Sequence, residues 1–400
     1  MRVDVFIYVQ HLLGIGHLKR ASLLAKAMHK IGLKVIFVTG GRPVPDLNMG
    51  KIETLQLPPL RAADDSFKVL MDIDDQVVDE DWKNSRKETL LEAFKTTNPK
   101  VLLIEMFPFG RRQMRFELDP LIARAKEQGV PVVTSVRDIL TTHKTPGKGE
   151  WIIERVLKDI DQVLVHGDSS FISLQDSFPL AEKVAHKITY TGYVVETSNN
   201  DTVTTEKKIA FPQNKAKDNT QHGTRNGVLI SAGGGAVALP LAKAVLEAKN
   251  LCKLKDIPWR LLLGDNLPDR DFDEISNNAP KGLTVERNRP DFQALLKTSQ
   301  LSVSQAGYNT ILELLTTLTP AIVVPFAADT QSEQTTRAKK LEDYGVLTVI
   351  SEKDLSPVNL AHAIDAAIDR PVTKITLDLN GTENSALIIQ KIIQKNNTHG

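Results

Sequence analysis

Apolar runs of strand length alternate with stretches of helical periodicity along this chain, twice over. Val3 to Val9 is the first run, followed by a loop with Gly14 and Gly16 and a helical pattern over His17 to Ile31. In that pattern Leu18, Ala21, Leu24, Ala25 and Met28 fall on one face. Further strands are expected at Val35–Val38, Ile52–Leu57, Val101–Glu105, Val132–Ser135, Gln162–Val165 and Ile188–Thr191, with helices at Trp82–Thr97, Gln113–Gln128 and Glu150–Leu157. Arg61 to Asp81 has weak periodicity and many aspartates, and reads as a mobile acidic loop with one helical turn. The rhythm restarts at Val228–Ser231, with strands at Trp259–Leu263, Leu283–Glu286, Leu301–Val303, Ala321–Val324 and Val346–Ile350. Helices are expected at Val237–Lys249, Thr310–Leu318, from Ser332 onward, and at Pro357–Ile368 and Asn384–Gln394. Continuous apolar strands separated by helices point to parallel sheets covered on both faces, hence an α/β chain of two Rossmann-like halves.

Glu196 to Asn226 breaks the rhythm. It is polar, poor in core residues, and reads as a linker or disordered insertion. The expected division is an N-terminal domain over 1–195, a linker over 196–226 and a C-terminal domain over 227–379, with a helix at 380–396 packing back on the first domain.

Composition narrows the function classes. The formal charge of +1 gives no field favouring nucleic acid, and no basic patch stands out. One cysteine, Cys252, excludes an internal disulfide and fits a reducing compartment. No window reaches the ~18 apolar residues of a membrane span. The N-terminal run does not read as a signal peptide, so a cytoplasmic location is expected.

The candidate chemistry gathers at the ends of strands. Leu301 to Ala338 forms two strand–loop–helix units. A strand that stops near Gly307 and feeds a helix leaves amide groups for an anion. Asn309 and Thr310 add donors, Glu313 suits sugar or ribose hydroxyls, and Glu333 and Gln334 offer acceptors and donors for more hydroxyls. Diphosphate, ribose and hexose together make a nucleotide sugar. The loop Ala232–Gly235 would let backbone approach the same kind of ligand. In the first half, His17 begins a helix after a glycine turn, placed either to take a proton from a hydroxyl or to orient a phosphate. Phe107, Phe109, Arg111, Arg112, Arg137 and Asp138 lie past strand ends, where open α/β sheets bind ligands. Phe107 and Phe109 are candidates for stacking on a sugar, Arg111 for holding an anion. Asp72 to Asp75 spells a D-x-D, but in an acidic loop and beside two glycine-loop halves it does not argue for a metal.

Gly307, Thr310, Glu313, Pro320, Pro325, Glu333, Gln334 and Ala338 resemble the donor-site signature of GT-B glycosyltransferases of the family-28 type. Gly14 to Ala25 is similar to the glycine–histidine signature of the same superfamily. The resemblance implies two Rossmann-like domains facing a cleft and inverting, metal-independent transfer from a UDP-sugar, with no cofactor. It assigns Glu313 to ribose, Glu333 and Gln334 to the sugar, and Gly233, Gly234 and Gly235 to the donor phosphates or the acceptor. Arg287 and Arg289 fall against the nucleobase, and Gly14, Gly16 and His17 on the acceptor side. The expected partners are the nucleotide sugar and a sugar, lipid-linked or small-molecule acceptor, with a peripheral contact at the inner membrane face. A UDP-sugar hydrolase or epimerase on the same scaffold is the alternative, because the glycine–histidine start also resembles one; a non-catalytic nucleotide-sugar binder is the second.

Overall fold

The computed structural model describes residues 2–12, 14–44, 47–64, 67–140, 146–195, 225–232, 238–265, 267–326, 333–368 and 376–398. Two compact units make up the chain, one formed by residues 1–207 and 377–400, the other by 208–376.

Unit 1 is built on seven parallel strands: β1 (Val5–Val9), β2 (Val35–Thr39), β3 (Glu53–Gln56), β4 (Val101–Glu105), β5 (Val132–Arg137), β6 (Gln162–His166) and β7 (Ile188–Tyr190). Their order is β3-β2-β1-β4-β5-β6-β7. Strand order therefore reverses between β1 and β4, which leaves a crevice at their C-terminal ends. Both faces of the sheet are covered, which is why its central strands are apolar throughout. One face packs Ile7, Leu103 and Val133 against helix α1 (Gly16–Lys30), which buries Leu18, Leu24 and Met28. The other face packs Phe6, Leu102 and Ile104 against α2 (Glu80–Thr97), α3 (Arg115–Glu127) and α4 (Lys148–Asp159).

The segment after β3 differs from the expected mobile loop. Arg61–Ala62 and Leu70–Met71 pair as a short antiparallel ribbon, and α2 starts at Glu80 with Asp79 capping it. The aspartates are used locally. Asp72 accepts from the amides of Asp74 and Gln76, and Asp75 from Arg42 and Arg61. A run that reads as surplus charge is thus a turn tied down by two arginines.

Unit 2 repeats the plan with β8 (Val228–Ser231), β9 (Trp259–Leu263), β10 (Leu283–Arg287), β11 (Leu301–Gln305), β12 (Ala321–Val324) and β13 (Thr348–Val349), ordered β10-β9-β8-β11-β12-β13. Its switch point lies between β8 and β11. Around the sheet stand α5 (Ala238–Ala248), α6 (Tyr308–Thr317), α7 (Glu333–Asp343) and α8 (Pro357–Ile368), among other short helices. The last helix, α9 (Gly381–Thr398), belongs to unit 1 and lies along α1, with Ala386, Ile389 and Ile393 in the core they share. Its entry is tight: a Cβ on Gly381 would stand 2.2 Å from the Gly192 carbonyl oxygen. No helix among the described residues is long and apolar enough to cross a membrane.

Candidate active site

In unit 1 the chemistry collects at the β1/β4 switch point. Glu105 is the last residue of β4, and its side chain is 2% exposed. His17, the second residue of α1, keeps 18% of its side chain exposed and sets Nδ1 3.0 Å from the Glu105 carboxylate. Arg20, one turn further on, pairs with the same carboxylate from a buried position. Among the described residues no side chain caps α1, and its first turn carries no acid. Arg111 sits in the left-handed region at φ 60° and donates Nε to the Gln10 carbonyl oxygen at 2.7 Å. Gln10 is in turn held by Arg86, which also pairs with Glu117 and so joins α2 to α3.

Burial acts most strongly on His17 and pushes its imidazole down to about 4; Glu105 pulls it up, and Arg111 and Arg20 push it down further. Burial alone would push the Glu105 carboxyl up, but the neighbouring positive groups and the His17 hydrogen bond hold it at about 2. At neutral pH the ring is therefore uncharged, and Arg20 supplies the compensating charge. A carboxylate at Nδ1 fixes the ring and leaves Nε2 as the basic nitrogen, the arrangement that orients a general base.

His17, Arg111 and Arg137, the last residue of β5, share one edge of the sheet, with Gly16 opening α1 just before His17. Phe107 and Phe109 do not join them. At 0% and 1% exposed they are core residues, set edge-on against Trp151 and Phe178. The expectation that they offer a stacking face is corrected: the loop after β4 folds back over the sheet and buries them. Arg112 stacks on Trp151 at 4.6 Å.

In unit 2, Gly307 is the N-cap of α6, with no side-chain cap among the described residues, and the first intrahelical bond runs from the Ile311 amide to Gly307 at 2.9 Å. The amides of the first turn precede that bond and face the end of β11. A Cβ at Gly307 would meet only Thr310 Oγ1, at 3.8 Å, so packing within the protein does not demand glycine there. Asn309, Thr310 and Glu313 are half-buried and fall on one face of the helix. Glu333, 7% exposed, opens α7 and accepts from Arg337 Nη2 at 2.9 Å, while the Arg337 guanidinium stacks on Tyr308 at 4.9 Å. One buried arginine thus ties the start of α7 to the start of α6. Gln334 accepts from the Phe326 amide at 3.1 Å, two residues past the end of β12.

The two arginines at the end of β10 have local work. Arg287 donates to the carbonyls of Gly264 and Leu267 and stacks on Phe272 at 4.3 Å; Arg289 forms two 2.8 Å bonds to Asp291. Gly233, Gly234 and Gly235 lie outside the described residues.

Residues 228–392 match the glycosyltransferase family 28 C-terminal domain. Solved structures share the fold of the whole chain. A MurG of Acinetobacter baumannii aligns over 99% of this chain and 95% of its own, at 15% identity and a TM-score of 0.55. The calicheamicin glycosyltransferase CalG4 aligns over the same shares at 13% identity and a TM-score of 0.58.

The fold is GT-B, with a second unit of the family-28 type.

Sequence relatives carry glycosyltransferase names. A UDP-N-acetylglucosamine–N-acetylmuramyl-(pentapeptide) pyrophosphoryl-undecaprenol N-acetylglucosamine transferase of an Exiguobacterium species is 30% identical over 145 residues, 36% of this chain and 39% of that one. An uncharacterized glycosyltransferase of Methanopyrus kandleri is 27% identical over 165 residues, 40% of this chain and 44% of its own. The chain thus spans less than half the length of these curated relatives. The family model and the relatives and solved neighbours named above are glycosyltransferases, and none of them supports a hydrolase or an epimerase.

Glu105 and Arg337 are the site residues that sequence reasoning passed over. Each carries a signal in hindsight. Glu105 is an acid closing an apolar strand, and Arg337 follows Glu333 by one helical turn.

Proposed function

We propose that this family-28-type GT-B protein is a glycosyltransferase that moves a sugar from a UDP-sugar to a hydroxyl acceptor with inversion. The observation that carries the reading is the His17–Glu105 pair at the switch point of unit 1, in a chain whose other unit is of the family-28 type. In this reading His17 Nε2 takes the acceptor hydroxyl proton and the oxygen attacks the anomeric carbon. The bond from that carbon to the diphosphate breaks, and the departing charge falls on the first amides of α6. Glu313 receives ribose hydroxyls, and Glu333 and Gln334 receive the sugar. Helix amides supply the positive end, so the mechanism asks for no cation.

The relatives bracket the acceptor. One is named for a pyrophosphoryl-undecaprenol-linked sugar, whereas a spinosyn rhamnosyltransferase of the same fold was solved in complex with thymidine diphosphate and with spinosyn aglycone. A lipid-linked or small-molecule hydroxyl is the proposed acceptor class, and a lipid-linked one would bring the protein to the inner membrane face.

Calorimetry with UDP-sugars and thymidine-diphosphate sugars, followed by transfer assays on both acceptor classes, tests the reading. UDP-sugars are expected to bind. His17→Ala is expected to lower turnover by about 10²–10⁴, the usual range for a general base, with donor affinity unchanged, and EDTA to leave activity intact. Absence of binding by every nucleotide sugar, or full turnover in His17→Ala, rejects it.

A further inference from the structure

Glu105 answers to two side chains of α1. Arg20 is 4% exposed, its Nη2 pairs with Glu105 Oε1, and the same Nη2 stands 3.2 Å from His17 Nδ1. A guanidinium only donates. Nδ1 therefore faces a choice between exclusive partners. It donates to Glu105 at 3.0 Å and carries the ring proton, or it accepts from Arg20 and the proton sits on Nε2. A proton given to an ionised carboxylate makes the stronger bond. That selects Nδ1–H and leaves the lone pair on Nε2.

We infer that Arg20 is a positioning residue: it keeps the Glu105 carboxylate ionised and shares its charge, so that Glu105 orients the His17 ring without drawing a second proton onto it. The inference rests on the proposed reaction only for what the neutral ring is used for.

Every element facing His17 contributes to the balance. Glu105 comes from β4, Arg111 from the loop after it, and Arg20 from the ring's own helix. Arg137 on β5 and Tyr8 on β1 act on Arg111, and His166 on β6 senses Arg20 and Glu105. Removing Arg20 takes a cation away from the ring and leaves the whole carboxylate to it. Both changes favour the imidazolium. Arg20 is a like charge to the imidazolium and a competitor for the carboxylate, and neighbouring charges at this range move a titration by about one pH unit.

The test is imidazole ¹H–¹⁵N NMR of the full chain labelled in histidine, with the His17 signals assigned by their loss in His17→Gln. Wild type is expected to show the Nδ1–H tautomer and a neutral ring well below the ordinary histidine midpoint. Arg20→Gln should move the midpoint up by about one pH unit or more, and Arg20→Lys, which keeps the charge, should stay close to wild type. An Nε2–H tautomer in wild type overturns the inference, and so does an unmoved midpoint in folded Arg20→Gln. Should Arg20→Gln not fold, a midpoint raised by the full amount in Arg20→Lys overturns it. The acid limb of kcat/KM should follow the midpoint. If the midpoint moves and that limb does not, Arg20 keeps its role, and the assignment of His17 as base is what fails.

Discussion

His166 is fully buried at the end of β6, with Nε2 2.7 Å from Ser135 Oγ and Nδ1 2.8 Å from Thr191 Oγ1. Hydroxyls donate or accept as needed, so both ring nitrogens find partners in either protonation state, and it is burial that disfavours the charge. Burial, followed by the charge of Arg20, pushes it down to about 3. His17 at about 4 is lowered in the same direction from the ordinary 6.5. In both cases the unfolded chain binds a proton that the folded one refuses. The associated stability is full above the ordinary histidine value and is lost as pH falls from there toward about 3. Glu105, held at about 2 against an ordinary 4.5, adds a loss of the same sign at lower pH. Urea unfolding should therefore weaken steadily as the solution is acidified below about pH 6.5, by about 1.4 kcal/mol per pH unit for each histidine. His166→Asn keeps a polar group toward Thr191 and removes one proton site, so its slope should be shallower by about that amount. Equal slopes would clear His166 of the effect. At this scale the sequence was legible where a position follows from the strand–loop–helix pattern, as for His17 and Gly307 at the starts of their helices. It was opaque where burial decides. Nothing local says that Phe107 and Phe109 have Trp151 and Phe178 above them, or that Arg20 turns inward to Glu105.

Among the elements, the strands were the most legible. A parallel strand buried on both faces must be apolar throughout, and Val101–Glu105, Trp259–Leu263 and Ala321–Val324 stand where their patterns put them. The segment from Arg61 to Asp81 was not legible, because its order comes from Arg42 and Arg61 reaching Asp75 rather than from any period. Helix α6 carries the sharpest prediction at this scale. Glu313 lies one turn past its open end, on the face that holds Asn309 and Thr310. Glu313→Ala should weaken UDP-sugar binding by about 1.5–3 kcal/mol, the range for hydrogen bonds to a charged group, measured by calorimetry. Unchanged affinity would remove Glu313 from the donor site while leaving the helix end in place.

For the whole molecule, the decisive connection is the return of the chain to unit 1 after unit 2 has been made. Helix α9 lies on α1 and buries Ile389 completely in the core that backs the His17 helix. Ile389→Ala should cost unit 1 about 2–5 kcal/mol, the usual range for such truncations. Denaturation followed by hydrogen exchange should show that loss in α1 and the unit 1 sheet, while unit 2 amides keep their protection. Equal loss in both units would mean that they unfold as one.

Helix α9 also orders events in time. The described strands of unit 2 lie between Val228 and Val349 and its last core helix, α8, ends at Ile368, so that unit can close once this stretch has left the ribosome. Unit 1 begins to be synthesised first yet lacks one of its core helices until residues 381–398 emerge. During that interval the α1 face that α9 covers is an uncovered apolar surface on a nascent chain. The earlier half of the protein is thus the later one to be completed, and the one whose apolar face stays open longest to wrong contacts.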